Sequence, residues 1–401
     1  MKGDSSVSTT VKAHGMDGTL VAPDWAPLAM DEVRALLSQF PECGKPIEIL
    51  SASPRPFSAA GVVATECGPL FIKRHHRAVR DREGLLEEHR FMTHLHTYGA
   101  AVPRVFSNQE GETAIERGDW MYEVHETLPG VDLYRDAVSW TPFRTCSHAY
   151  SAGQALARLH CAAQGFDAPR RIPRPLVASF TIFAAANSGE ELHRYLSARP
   201  ALEKNPEVRA NAEVALELLE PFHAELQPLL PALKPLWTHN DLHASNVLWT
   251  DASDEAHAAA IIDFGLADRT STVHDLAHAI ERNIVEWLVL VEDPSHPERV
   301  PVHLDHLHAL LDGYESVRPL SDEEAAVLAP MTALCHAEFA LSESDYFLKV
   351  LHSEEKARMA YDGWLRGHAR WFRSSAGQPL LDALRRRPAS NRLSNSEGER
   401  A

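Results

Sequence analysis

Residues 237–249 read WTHNDLHASNVLW, and six polar or ionisable side chains (His239, Asn240, Asp241, His243, Ser245 and Asn246) sit between short apolar flanks. A buried segment would have to satisfy each of those groups, and a surface loop needs no such variety. The pattern suits a site that handles charge. Its second half lies downstream in AAAIIDFG (258–265), a buried-looking strand ending in Asp263. The stretch between, TDASDEAH, is turn-prone. A hairpin pairing NVLWT with AAIID has its midpoint between Asp254 and Glu255 and sets Asp263 opposite Asn246. Cross-strand neighbours are about 5 Å apart. One carboxylate and one amide oxygen therefore meet at the end that also carries Asp241. Oxygen donors at that spacing suit a hard divalent cation such as Mg²⁺.

The elements that must position these residues fall into two groups. Residues 45–50 (KPIEIL), GVVATE and PLFIK from 61 to 73, and 120–126 (WMYEVHE) read as strands, with a turn at Cys67-Gly68 and a possible hairpin around Gly111. Helices are expected over 30–40 and 80–99, the second ending near Gly99. After LPG (128–130) the chain turns helical, with a strong amphipathic segment at 148–166 and helical rhythm over 188–231 and beyond 273. SDEE (321–324) has the capping-box form, and Pro330 should kink the helix beyond it. We expect an α+β fold: a tail over 1–25, a small β-rich N-lobe over 26–126, a large mostly helical C-lobe over 127–375, and a largely disordered tail over 376–401. In the helix at 80–99, Leu85, Glu88, Met92 and Leu95 share one face, so Glu88 is a carboxylate on a buried stripe that needs a buried cation. Lys73, at the end of an apolar strand, is the candidate, with Glu87 the alternative carboxylate.

HNDLHASN followed by IDFG resembles the aminoglycoside phosphotransferase / choline kinase group, small-molecule kinases with a two-lobed protein-kinase-like fold. The family form is His-Gly-Asp-x-His-x-x-Asn; this chain has Asn240 in place of the glycine. Asn is the non-glycine residue most tolerant of positive φ. The resemblance implies that Asp241 is the catalytic carboxylate, accepting the proton of a substrate hydroxyl. It implies that Asn246 and Asp263 hold Mg²⁺ on the phosphates of ATP, and that His239 and His243 brace the loop. A strand lysine paired with a helix glutamate, here Lys73 and Glu88, is the nucleotide-binding pair of such folds. Chain order places main-chain groups of Glu123, Val124 and His125 at the adenine edge. HDLAHAIERN (274–283) matches the helix after the metal aspartate, where Asp275 reads as a cap or a brace for the loop, and His160 in LARLH as a packed structural histidine. SASPRPFSAAG is no G-x-G-x-x-G, so no phosphate-covering residue is assigned.

Composition narrows the alternatives. Net charge is −17, which opposes nucleic-acid binding. No run approaches the roughly 20 apolar residues of a membrane span, and residues 1–18 lack the apolar core of a secretory signal, so a cytoplasmic protein is expected. The five cysteines form no CxxC, which opposes a disulfide framework or a structural zinc site. A zinc hydrolase is disfavoured because HNDLH lacks the Glu of HExxH. A protein kinase is disfavoured because IDFG runs directly into LADRTSTVHDLA, with no room for a long activation loop. A catalytically silent nucleotide-binding protein remains the alternative to transfer. The expected partner is a small-molecule hydroxyl acceptor such as an aminoglycoside, amino alcohol, choline-like amine or sugar, with no protein partner implied. Its identity should be set by helices over 165–235 and 300–375. There, Glu190, Glu191 and Asp345 read as solvated carboxylates.

Overall fold

The computed structural model describes residues 13–14, 20–21, 23–177 and 179–387, and strand and helix signals separate there into a sheet-bearing unit and a helical one. The first comprises the residues up to Arg77 together with Val105–Thr127. The second comprises Ala78–Arg104 and the chain from Leu128 onward. The expected lobe over 26–126 is thus interrupted, because its helix clusters with the helical unit.

In the first unit, β1 (Ala13–His14) and β2 (Leu20–Val21) form a short antiparallel ladder within the segment expected to be a tail. The rest of that segment up to residue 22 lies outside the described residues. α1 (Met30–Leu37) precedes a five-stranded antiparallel sheet of β3 (Pro46–Ala52), β4 (Ala59–Thr65), β5 (Gly68–His76), β6 (Ile115–Arg117) and β7 (Trp120–Glu126), in the order β3-β4-β5-β7-β6. Period-two alternation puts Leu70 and Ile72 of β5 and Val124 of β7 into one core with Val33, Leu36 and Leu37 of α1. Lys73 therefore stands on the other face, paired in register with Ala60 and Glu123. Gly68 makes the β4–β5 turn at φ +120°, as read from the sequence. The chain turns at Gly111, where Asn108 N donates to Glu112 O (2.8 Å) and Gly111 N to Asn108 O (3.0 Å), and the β6–β7 hairpin follows with its own turn at Gly118-Asp119.

The second unit begins with α2 (Arg82–Thr97), capped by Asp81, whose side chain accepts from Gly84 N. Leu85, Glu88, Met92 and Leu95 are all buried on it, as their spacing required. Then come α3 (Cys146–Ala162), α4 (Ser188–Ser197), α5 (Pro200–Glu203) and α6 (Pro206–Leu226). Four short strands come next: β8 (Pro235–Thr238), β9 (Val247–Trp249), β10 (Ala258–Ile261) and β11 (Asp268–Ser271). β9 pairs with β10 and β8 with β11, both antiparallel. The remainder is helical: α7 (Thr272–Ile284), α8 (Trp287–Glu292), α9 (Leu304–Glu315), α10 (Asp322–Leu334), α11 (His336–Lys349), α12 (Glu354–Arg358), a π-helical turn at Met359–Gly367, α13 (His368–Arg373) and α14 (Gln378–Arg386).

α3 and α9 pack at glycines: a Cβ on Gly153 would meet the Leu310 carbonyl, and one on Gly313 the Tyr150 carbonyl. Ser321 and Glu324 form the expected capping box of α10. That helix continues through Pro330 to Leu334, so the expected kink does not end it. Asp322–Lys349 is long and apolar enough to cross a membrane by composition, but 89% of its apolar window is buried in the core. α14 corrects the expected disordered tail over its own length: Leu380, Leu381 and Leu384 are buried, and residues 388–401 lie outside the described residues.

Candidate active site

The polar loop of residues 239–246 leaves β8 and enters β9, and α7 holds it at both ends. At the N-terminal end of α7, Asp275 accepts from His239 N (2.8 Å) and Asn240 N (2.7 Å). It also accepts from His160 Nε2 (3.0 Å), whose Nδ1 meets Tyr314 Oη at 2.7 Å. Burial by itself would raise the Asp275 pKa; the His160 bond and charge, together with His239, outweigh it and hold the carboxyl at about 2. Near the C-terminal end of α7, Asn283 accepts from Ala244 N (2.9 Å) and donates to Leu242 O (2.8 Å). Positions 275 and 283 are two turns apart, about 12 Å along the axis, so one rigid helix fixes both ends of the loop.

Inside the loop, Asn240 takes φ +60°, the conformation its residue type tolerates. Its side chain supplies what a glycine would lack. Oδ1 accepts from Thr238 Oγ1 (2.9 Å) and Thr270 Oγ1 (3.0 Å), lies 3.1 Å from His274 Nδ1, and Nδ2 donates to Leu266 O (3.2 Å). The loop is thereby tied to the β8–β11 pair. The backbone N–H of Asp241 donates to His239 Nδ1 (3.2 Å), so the ring proton sits on Nε2, which faces Ile262 O at 3.0 Å. Burial lowers the pKa of His239 and keeps this neutral tautomer.

Asp241, 18% exposed at its side chain, is held by two groups. Asn246 Nδ2 donates to its carbonyl (2.9 Å) and to Oδ2 (3.1 Å). Arg282 of α7 pairs with Oδ1. His243 Nε2 lies farther off, at 3.9 Å, with its Nδ1 2.8 Å from Ser245 Oγ. Arg282 and Asn283 were not singled out in the sequence. Their spacings of seven and eight from Asp275 are the helical period that could have flagged them.

The β9–β10 hairpin forms as expected, with a one-residue difference in register. Ile261 pairs with Val247, and Ile262 N donates to Asn246 O (2.9 Å). Ile262 rather than Asp263 faces Asn246: the turn lies one residue nearer β9 than the midpoint count placed it, and the register shift between Ala258 and Ala260 makes up only half of that offset. Asp263 comes next at φ +62°, exposed at the end of the strand, with Gly265 N 3.4 Å from its Oδ1. The donor chemistry fits a hard cation. The Asn246 amide nitrogen is turned to Asp241, which leaves its Oδ1 as an oxygen donor, and Asp263 adds a carboxylate.

Glu88 is buried, and two arginines that the sequence pattern did not flag hold it. Arg80 Nε (2.8 Å) and Arg171 Nη2 (2.7 Å) both reach its Oε1. The same arginines donate to Gly265 O at 2.7 and 2.9 Å, so the carboxylate of α2 and the turn after Asp263 share one network. Glu87 pairs with Arg171 and Arg174.

In the first unit, the side chain of Glu123 lies between His75 Nε2 (2.8 Å) and His125 Nε2 (2.9 Å). The main-chain groups of Glu123, Val124 and His125, assigned to the adenine edge by chain order, lie within the sheet. All three residues pair with β5, Val124 O accepts from Phe106 N (2.9 Å), and His125 bridges Val105. The ladder with β5 ends at Glu126.

Comparison with known proteins agrees with this arrangement. Residues 59–320, more than half of the chain, match the phosphotransferase enzyme family. The homoserine kinase of Gluconacetobacter diazotrophicus is 28% identical over 251 residues, covering 62% of this chain and 65% of that protein. The homoserine kinase of Gluconobacter oxydans is 27% identical over 239 residues, covering 59% and 63%. The chain therefore spans less than two thirds of the length of these relatives. Among solved structures, a microcompartment-associated aminopropanol kinase superposes with a TM-score of 0.55 at 16% identity, over 88% of this chain and 99% of that one. An amicoumacin kinase in complex with AMP-PNP and Ca²⁺ gives 0.53 at 16% identity, over 85% and 96%. These likenesses establish a kinase-like fold.

Proposed function

We propose that this chain, which belongs to the phosphotransferase enzyme family, transfers the γ-phosphoryl group of ATP to the hydroxyl of a small molecule. The observation that carries this reading is the double hydrogen bond from Asn246 to Asp241, with the Ile262–Asn246 bond bringing Asp263 to the same end of the hairpin. A proton acceptor and two cation-binding oxygens are thus built from one loop and one strand end. Asp241 orients the acceptor hydroxyl and takes its proton as the oxygen bonds to the γ-phosphorus and the bond to the β-γ bridging oxygen breaks, releasing ADP. Asn246 and Asp263 would hold Mg²⁺, which when bound neutralises phosphate charge. Lys73 is assigned to the phosphates and Glu88 to the nucleotide-binding network. His239 and Asp275 touch no substrate and keep the loop rigid. An ordinary aspartate is a weak base; it suffices because the proton leaves late in a loose transition state.

The curated relatives are named for homoserine and a structural neighbour for aminopropanol, which favours a hydroxylated amine as acceptor. Kinetics of Asp241→Asn test the reading. Transfer should fall by on the order of 10² or more while ATP affinity stays within about twofold. Transfer at the wild-type rate would refute the role of Asp241.

A further inference from the structure

We propose that Cys146, Asp305 and His306 form a binding site for a divalent cation of the zinc class, which ties the start of α3 to the start of α9. The Cys146 sulfur, an Asp305 carboxylate oxygen and an imidazole nitrogen of His306 all lie within 4.8 Å of one another. Cys146 is the first residue of α3, and Asp305 and His306 are the second and third of α9. The same two helices meet at Gly153 and Gly313, so a closely packed pair presents all three side chains. No CxxC announces the site, because Cys146 and Asp305 are 159 positions apart in the chain.

The donor set is the one a borderline-soft cation takes. Thiolate sulfur, imidazole nitrogen and carboxylate oxygen bind zinc at about 2.0–2.3 Å. Tetrahedral bonds of that length put neighbouring ligand atoms about 3.3–3.8 Å apart, and Cys146 Sγ stands 3.7 Å from Asp305 Oδ2. Mg²⁺ prefers oxygen alone, so this site differs in kind from the one assigned to Asn246 and Asp263. A second observation points to a ligand. His306 is 8% exposed, and its buried Nδ1 has no hydrogen-bond partner. Burial lowers its pKa, which keeps the ring neutral, as a metal ligand must be. Partial desolvation and the Asp305 carboxylate raise the Cys146 pKa. A divalent cation between them reverses that effect, since a coordinating thiol is deprotonated outright. His303 stacks on His306 at 5.0 Å, but its Nε2 is 2.8 Å from a Glu286 oxygen, so the fourth position is left to water.

Titration of the purified, reduced protein with Co²⁺ in excess Mg²⁺ tests this, because a cobalt–thiolate bond gives a near-ultraviolet charge-transfer band. One equivalent of Co²⁺ should develop the band, and Zn²⁺ should displace the cobalt and remove it. Cys146→Ser should abolish the band, and His306→Ala should weaken Co²⁺ binding by on the order of 10²-fold. The band should survive in the double variant Cys67→Ser/Cys161→Ser, which lacks the other two exposed thiols. Absence of the band from wild type overturns the proposal, and that measurement needs no variant to fold. A band that persists in Cys146→Ser or vanishes in the double variant overturns it as well, as does unchanged affinity in His306→Ala.

Discussion

Two carboxylates lie six residues apart on α7, both buried, with opposite electrostatics. Asp275 accepts three hydrogen bonds, two from the loop backbone and one from His160, and its pKa is held at about 2. Glu281 has a His368 nitrogen at 2.9 Å, and burial pushes its pKa up to about 7 despite the nearby His336 and His278. Donors rather than depth make the difference. The satisfied end is permanent scaffold and belongs with the loop it holds. The unsatisfied end holds Glu281, Arg282 and, across on α11, Glu343, whose carboxylate oxygens have no hydrogen-bond partner. Asp345 on the same helix is buried, contrary to its reading as a solvated residue.

Removing the scaffold should have the largest effect. Asp275→Ala leaves two loop N–H groups and His160 without their acceptor, and should cost about 3–5 kcal/mol, read as a lower denaturation midpoint. The intact carboxyl has a folded pKa below its ordinary 3.8, so its stabilisation is present above about pH 4 and is lost as pH falls toward 2. Denaturation in which Asp275→Ala matched wild type would erase the contrast between the two ends.

Glu281 should show the opposite sign. Its folded pKa lies above its ordinary 4.5, so stability is fully present below about pH 4.5 and declines as pH rises through 7. The decline should reach up to about 3 kcal/mol. Glu281→Gln should flatten it in melts from pH 4 to 8, and an unchanged slope would show that this carboxyl is not the source.

The smallest effect sharpens the role of the loop. Asn240→Gly relieves the positive φ but deletes the bonds to Thr238, Thr270 and Leu266, and should destabilise by about 1–3 kcal/mol. A stabilised variant would mean that the side chain is only tolerated.

The contrast also shows what a sequence alone can reveal. Local signals carried far: the alternation of β4 and β5, the buried stripe of α2 with Glu88 in it, and the tolerance of Asn240 for positive φ are properties of short windows. Asp275 as a brace and His160 as a packed residue were also legible. The rest depends on pairings distant in sequence. Arg171 reaches Glu88 across 83 positions and Thr270 reaches Asn240 across 30, with no local signature for either. The hairpin register slipped by one because neither the exact place of the turn nor the irregularity in β10 that partly offsets it is visible to counting. Nothing local announced that Val105 and Phe106 return beside β7 at Val124 and His125.

A crystal structure of the protein with Mg²⁺ and a non-hydrolysable ATP analogue tests the central claim most directly. The account predicts the metal bound to Asn246 Oδ1 and the Asp263 carboxylate, with the terminal phosphate facing Asp241. Metal and phosphates bound away from these three side chains would contradict it.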